Sequence, residues 1–302
     1  MFLFDMATRS TFAPKSENGV AGAVRKILAD NSLDYARTKV ALDQLVDPSA
    51  NGDKTLREVD RLTKAAKLLA GPNTATSARL AAIHKLIYES GPWNDGRPFA
   101  YDHGDPEGTH IPNKLLHVYL RRRLGNCVSM PILFLIFAER LGVDTALARA
   151  PSHIFLRHRM ADGRIANIET TSGGHPARDE WFRQNFPMSE RALASGLYMR
   201  SLSRREGMAL MATMVLEHLA EKRRWNEVIA VAEAILAHDP RAADVLVWQG
   251  SAYGHLLESE AGARFAVPLL LPVAPLARRL MLMERNNSLI HAAETLGWQP
   301  DN

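Results

Sequence analysis

Cys127 is the only cysteine of the 302-residue chain, and it directly precedes a strongly apolar stretch that we expect to be helical. A helix start suits a reactive thiol, because backbone N–H groups and the helix dipole stabilise the thiolate, which is the nucleophilic form. Downstream, His153 and Glu169 each lie in a segment whose pattern predicts a β-strand. Cysteine, histidine and carboxylate could supply a nucleophile, a base and a residue that orients the base.

Each of these residues also has a purely structural interpretation. A lone cysteine is commonly a small buried hydrophobic residue. His153 is flanked by Ile154 and Phe155 and is equally compatible with a hydrogen-bonded core histidine. Glu169 is compatible with a carboxylate at a strand end that faces water. The combination of the three, more than any single residue, indicates a site for thiol chemistry.

Length and composition limit the class of protein. The chain length predicts about two domains, and 46% hydrophobic residues is ordinary for a globular protein. A single cysteine allows no intrachain disulfide, so we expect a cytoplasmic protein. The segment Met1–Met6 is interrupted by Asp5 and does not resemble a secretory signal. The apolar segment Phe265–Ala277 contains three prolines and is too short to span a bilayer, so we expect no membrane association.

Charge content does not favour nucleic-acid binding, and histidine spacing gives only a weak indication of metal binding. The net charge is +4 with a pI near 9.3, and the basic clusters Arg121–Arg123 and Lys222–Arg224 are far apart and resemble solvated helix ends. Aromatic residues do not alternate with these clusters, so we expect no nucleic-acid partner. His103, His110 and His117 recur regularly, but such histidines are commonly surface residues. We therefore expect no metal and no other cofactor.

The central part of the chain predicts one buried helix and a small antiparallel sheet. Residues Ile132–Ala138 are apolar on every side, which is typical of a fully buried helix. Three strands are predicted to follow, at Thr145–Ala150, Ser152–Arg159 and Arg164–Thr170. Asp162-Gly163 is typical of the tight turn between the last two. Which face of the second strand meets the helix decides whether His153 reaches Cys127, and the pattern leaves this open.

The flanking parts predict helices. Residues 1–22 are expected to be a flexible lead-in, followed by helices that end near Gly91-Pro92. The Gly-, Asp- and Pro-rich stretch Trp93–Pro112 is long for a connection and is a candidate substrate-selecting loop, with Trp93, Phe99 and Tyr101 as lining residues. The alternative is that these aromatic residues only attach the loop to the core.

The C-terminal third resembles tetratricopeptide repeats. Helices are predicted at Arg205–Glu221, Trp225–His238 and Ala242–Glu258. The resemblance lies in the succession of Trp225, alanines, Asp239-Pro240 and then Trp248 to Tyr253. The alternative is an ordinary helical hairpin, because solenoids usually need more repeats than this.

Five motifs together resemble the transglutaminase-like superfamily, which is related to papain in architecture, and its SirB-type bacterial branch with a tetratricopeptide-like tail. The motifs are Pro112–Leu116, Arg123–Ser129, Ala138–Gly142, Pro151–Arg157 and Glu169–Gly174. The resemblance implies an α+β fold. It divides the chain into a transglutaminase-like domain at 23–200, containing N-terminal helices and a central helix on a small antiparallel sheet, and an all-α tail at 201–302.

The resemblance also implies an activity. Cys127 would be the nucleophile, His153 the general base and Glu169 the orienting carboxylate, where the superfamily usually has aspartate. Asn113 and Asn126 are candidate oxyanion or substrate ligands. The implied function is a cysteine acyl-transfer enzyme that hydrolyses a peptide, isopeptide or amide bond of a peptide or protein substrate. The alternative is a non-catalytic scaffold whose C-terminal helices bind a protein partner, because members of this branch often replace the cysteine.

Overall fold

A computed structural model describes residues 19–72, 75–106, 108–160, 162–262 and 273–300. Helices make up most of this part of the chain. They are α1 (Val20–Ala29), α2 (Tyr35–Val46), α3 (Gly52–Ala70), α4 (Thr76–Tyr88), α5 (Leu116–Arg122), α6 (Ser129–Arg140), α7 (Asp179–Asn185), α8 (Glu190–Ala194), α9 (Arg204–Met211), α10 (Thr213–Glu221), α11 (Trp225–Leu236), α12 (Ala243–Gly262) and α13 (Val273–Thr295). Short 3-10 helices occur at Pro92–Asn94, Ile111–Lys114 and Thr170–Ser172.

The strands form a parallel pair and an antiparallel sheet. They are β1 (Ala100–Tyr101), β2 (Leu124–Gly125), β3 (Thr145–Ala150), β4 (His153–Arg159), β5 (Ile165–Glu169) and β6 (His175–Ala177). β1 pairs with β2, while β3, β4, β5 and β6 are neighbours in chain order in the antiparallel sheet. The predicted α+β class is confirmed. The three predicted strands appear within one residue of their expected ends, whereas the short β6 was not predicted.

The central helix α6 is buried along its length. Its residues from Ser129 to Ala138 are all buried, as the apolar sequence predicts. It packs against β3 and β4 on one side and against α2, α3, α4 and α5 on others. This central position fixes the start of α6, and therefore the segment that carries Cys127, relative to the sheet.

Other elements differ in detail from the sequence prediction. α1 begins at Val20, inside the expected lead-in 1–22, and residues 1–18 lie outside the described part. The helix expected at Arg205–Glu221 is divided into α9 and α10. The apolar segment Phe265–Ala277 lies largely outside the described residues. Within the described ranges, no helix combines the length and apolar character needed to cross a membrane.

One hydrophobic cluster connects the N-terminal helices, the sheet and the C-terminal helices. It includes Val24 of α1, Phe134 of α6, Leu156 of β4 and Val228 of α11. Direct packing of α1 against α11 joins the N-terminal helices to the C-terminal helices. The C-terminal helices are therefore packed on the rest of the protein and do not form a separate arm.

Candidate functional site

Cys127 lies just ahead of α6, and its neighbour Asn126 organises the helix start. The Asn126 carbonyl accepts the N–H of Met130 at 3.0 Å, and its Oδ1 accepts the N–H groups of Val128 and Ser129, each at 3.1 Å. These bonds satisfy donors that a helix start otherwise leaves free. Asn126 therefore fixes the backbone on either side of the buried Cys127.

The Asn126 Nδ2 atom is buried and has no hydrogen-bond partner among the described residues. It faces Gly108, where a Cβ atom would lie 3.1 Å from Nδ2. Gly108 has φ +62°, a left-handed conformation that favours glycine. The amide oxygen caps the helix start, and the role of Asn126 as an oxyanion ligand stays a prediction.

The sheet register brings His153 and Glu169 to the same face. Leu156 pairs with Ile168 and Arg157 with Asn167, and continuing this register places Phe155 opposite Glu169. His153, two residues before Phe155, then lies diagonally across from Glu169 on the same face, within reach of a long side chain. The His153 Nε2 and Glu169 Oε2 atoms are 2.7 Å apart. The predicted histidine–carboxylate pair is therefore in hydrogen-bond contact.

The face carrying His153 is not the face that packs on α6. Phe155, on the same face as His153, lies in a cluster with Phe182 of α7, whereas Leu156 on the other face belongs to the cluster of α6. His153 reaches Cys127 because both lie at element ends, His153 as the first residue of β4 and Cys127 just before α6. Since Glu169 occupies Nε2, Nδ1 is the ring nitrogen left for Cys127.

Glu169 is buried and has several hydrogen-bond partners. Its Oε1 accepts the backbone N–H of Thr171 at 2.8 Å and the Thr171 hydroxyl at 2.6 Å. Burial by itself would raise the pKa of Glu169, but the bond to His153, the His153 charge and the two Thr171 bonds lower it below its ordinary value. Glu169 is therefore held as a carboxylate, with one oxygen bonded to His153 and the other to Thr171.

His153 is stabilised in its charged form. Burial alone would lower its pKa, yet hydrogen bonds to Cys127 and Glu169, together with their negative charges, raise the pKa of His153 to about 9. The imidazole therefore lies between the Cys127 side chain and the Glu169 carboxylate. Only 8% of His153 is exposed, so these interactions are weakly screened.

The aromatic support of His153 was not predicted from the sequence. The ring of Phe186 stacks on His153 with centroids 4.4 Å apart and planes inclined by 12°, and Phe182 lies 6.4 Å away. Phe182 belongs to α7, and Phe186 directly follows it, in the segment Asp179–Phe186 that no sequence signal connected to the site. The spacing of four residues between Phe182 and Phe186 was the available signal for an amphipathic helix.

A cleft of about 280 Å³ opens at Cys127 and His153. Gly108 and Val128 belong to its lining, and the C-terminal helices provide several further lining residues. The lining residues beyond position 200 are Leu210, Thr213, Glu217, Ala243, Asp244 and Trp298, and Leu197 and Tyr198 of the segment before α9 also line the cleft. The sequence prediction treated the C-terminal helices as a separate tail, so it missed their share of the site.

Asn113 lies apart from this cleft. Its Nδ2 donates to Asp105 Oδ2 at 2.8 Å, and its Oδ1 accepts from Arg122, so both ends of the amide hold the loop before α5. In the same loop Trp93 donates to the Lys85 carbonyl and Phe99 is buried. These contacts attach the loop to the core, which is the structural alternative stated above.

Tyr101 of the same loop lies nearer to the site. Burial and the negative charges of Cys127, Asp105 and Glu169 raise its pKa. Its hydroxyl donates to the Pro106 carbonyl, which fixes the ring in the loop.

The histidines with regular spacing do not converge. His117 Nε2 is 3.2 Å from Asp47, whereas His103 packs edge-on against Tyr101. In the described part of the chain, no group of three or more histidine, cysteine or acidic side chains is arranged to hold a metal ion.

Comparison with known proteins connects the site to a family. Residues 53–186 match the family model described as "Transglutaminase-like superfamily". This segment is similar to that superfamily. It contains Cys127, His153 and Glu169 together with α6 and the antiparallel sheet, so the similarity covers the part of the fold that builds the site.

Two curated proteins are also similar to this chain in sequence. A UPF0162 protein of Xylella fastidiosa strain 9a5c is 25% identical over 65% of this chain and 68% of the relative. A UPF0162 protein of Xylella fastidiosa strain Temecula1 is 24% identical over 58% of this chain and 61% of the relative. No solved structure matches the chain. The family match ends at residue 186, so the SirB-type branch and the tetratricopeptide nature of 201–302 stay predictions.

Proposed function

We propose that the protein is a cysteine acyl-transfer enzyme that hydrolyses a peptide, isopeptide or amide bond. The observation that carries the proposal is the buried contact of His153 with Glu169 at 2.7 Å, with Cys127 as the second hydrogen-bond partner of the imidazole. A histidine held between a free thiol and a carboxylate, beside an open cleft, matches the requirements of nucleophilic catalysis.

In the first half of the proposed reaction, the Cys127 sulfur attacks the substrate carbonyl carbon. The thiol proton resides on His153, and Glu169 stabilises the resulting imidazolium. The backbone N–H of Cys127 helps to hold the oxyanion. Collapse of the tetrahedral intermediate breaks the C–N bond, and His153 returns the proton to the leaving amine. The product is a thioester on Cys127.

In the second half, water attacks the thioester carbonyl and gives one proton to His153. Breaking the C–S bond releases the carboxylic acid, and the proton restores the starting thiolate–imidazolium pair. An amine in place of water would give transamidation by the same steps. Hydrolysis is the simpler proposal, because water needs no second binding site.

The test is the rate of Cys127 alkylation by iodoacetamide as a function of pH, read by intact mass. Because the chain has one cysteine, every adduct reports on Cys127. We expect fast labelling of the native protein well below pH 8.5, the approximate value at which an ordinary thiol ionises. The His153→Ala variant should lose this low-pH reactivity, since it removes the counter-charge.

The matched control is His158→Ala. His158 is also a buried histidine of β4, but alternation places it on the opposite face from His153, where its Nδ1 contacts the Asp144 carbonyl. This variant should label like the wild type. An inert native Cys127, or equal labelling in all three proteins, would remove the support for the catalytic proposal and favour the scaffold function.

A further inference from the structure

A second groove, of about 710 Å³, lies on another part of the surface. It is formed by the loop between α2 and α3, the N-terminal half of α3, the loop before β1, and α5. Six of its lining residues are lysine or arginine and three are acidic, so the groove has an excess of positive charge. The basic residues are Lys54, Arg57, Arg61, Arg97, Arg121 and Arg123.

The three acids of the groove are already engaged. Glu58 pairs with Arg61 and Arg123, Asp95 pairs with Arg61, and Asp47 pairs with His117. The other four basic side chains, Lys54, Arg57, Arg97 and Arg121, form no ion pair within the described part of the chain. All four are exposed. They have guanidinium or ammonium donors available for a ligand.

Arg123 lies deep in this groove with unsatisfied donors. It is 6% exposed, and its guanidinium stacks over the Phe99 ring at 4.2 Å. Its Nη2 donates a hydrogen bond of 3.1 Å to Glu58, whereas Nε and Nη1 have no partner among the described residues. Unsatisfied buried donors are costly, and a charged one more so. Burial lowers the pKa of Arg123, and the charges of Arg61 and Arg97 lower it further, while Glu58 and Asp95 act in the opposite direction.

The start of α3 adds a further anion-attracting element. Asn51 caps this 19-residue helix by accepting the Lys54 N–H at 2.9 Å, and Asn51, Lys54 and Thr55 line the groove. Helix starts present free N–H groups and the positive end of the dipole, which favour phosphate groups.

We propose that this groove binds a small anion that carries two or more phosphate groups. Arginine side chains suit phosphate because the guanidinium fork matches its oxygens. The lining includes no Phe, Tyr or Trp on which nucleobases could stack, so the chemistry favours the phosphates themselves over nucleic-acid bases. The groove is separate from the cleft at Cys127, so this function goes beyond the proposed hydrolysis.

The experiment is isothermal titration of the full chain with tripolyphosphate. We expect binding with one site per chain. The Arg57→Gln/Arg121→Gln double variant should weaken it at least about tenfold, because each removed guanidinium takes away charge-assisted bonds. Both side chains are exposed, so the melting temperature and the alkylation of Cys127 should be unchanged.

The matched control is Arg205→Gln/Lys222→Gln, which removes the same charge from α9 and the end of α10. It should bind tripolyphosphate like the wild type. Absence of binding by the wild type, or equal weakening in both double variants, would overturn the proposal. An oligouridine that binds more tightly than tripolyphosphate and depends on Arg57 and Arg121 would also overturn it, in favour of a nucleic-acid site.

Discussion

The pairing of His153 with Glu169 depends on side-chain length. Across the sheet the two residues are diagonal neighbours, which are farther apart than directly opposite ones. Glutamate has one methylene more than the aspartate usual in the superfamily, and this extra length spans the diagonal. The second carboxylate oxygen is held by Thr171, so the longer side chain is not free to turn away.

This pairing makes stability depend on pH. The folded protein keeps the His153 proton up to about pH 9, whereas an unfolded imidazole loses it near 6.5. The contribution is therefore fully present below pH 6.5 and is lost as the pH rises to about 9; it is on the order of 3 kcal/mol. At the acid end, the lowered pKa of Glu169 means that its contribution is present above about 4.5 and is lost as the pH falls.

Urea unfolding across this pH range, compared with His153→Asn, measures the effect. The wild type should lose its advantage over the variant between pH 6.5 and 9. The His158→Asn protein, altered on the opposite face of β4, should keep the wild-type slope in this window. A constant difference between wild type and His153→Asn would show that His153 carries no extra proton in the folded state.

For single residues of the site, the sequence predicted the residue types but not the side chains that surround them. Cys127, His153 and Glu169 were recognisable from their order and their places at a helix start and in strands. Phe186 and Thr171 were not, because stacking and capping depend on how α7 and the turn after β5 fold onto the site. The position of Asn113 was equally inaccessible, since its bonds to Asp105 and Arg122 are set by the loop conformation.

Among the elements, the turn between β5 and β6 keeps Glu169 in place. Gly173 and Gly174 both have positive φ, and the Gly174 N–H donates to the Glu169 carbonyl at 2.9 Å. A Cβ on Gly174 would lie 2.4 Å from the ring of Tyr88, whose hydroxyl donates to the Thr170 carbonyl at 2.8 Å. The turn is therefore packed directly against α4.

Gly174→Ala should both destabilise the protein and slow Cys127 labelling. Left-handed backbone strain costs about 1 kcal/mol, and displacing Tyr88 adds about 1–3 kcal/mol. Gly163→Ala is the control, because Gly163 has φ +83° but an added Cβ there meets nothing within 4 Å. That variant should show the strain alone and normal labelling. Equal losses in the two variants would mean that the contact with Tyr88 is unimportant.

Element length explains most of what the sequence predicted. The strands β3, β4 and β5 and the apolar helix α6 are long enough for periodicity to show. The strands β1 and β2 have two residues each and β6 has three, so they are too short to show an alternation of apolar and polar residues. The break between α9 and α10 falls at Ala212, where no glycine or proline marks it.

For the whole molecule, the position of the C-terminal helices matters most. They line the cleft at Cys127 and share the hydrophobic cluster of the N-terminal helices. A buried ion pair reinforces the contact: Arg149 of β3 donates from Nη1 to Asp239 Oδ2 at 2.6 Å, and Asp239 is fully buried just after α11. A division into domains 23–200 and 201–302 would have to separate both the cluster and this ion pair.

We therefore expect one cooperative unfolding transition. Helix content, measured by circular dichroism, and accessibility of Cys127 to a thiol reagent should change at the same denaturant concentration, because the core and the C-terminal helices lose their packing together. Asp239→Asn should lower both midpoints, at a cost of about 3–5 kcal/mol, since it leaves the Arg149 charge buried and unpaired. Glu190→Gln, which breaks the exposed pair with Arg183, should cost less than about 1 kcal/mol. Loss of helix content in two steps, with Cys127 protected until the second step, would contradict the single transition. The C-terminal helices would then be an independent domain that can move away from the cleft while the core stays folded.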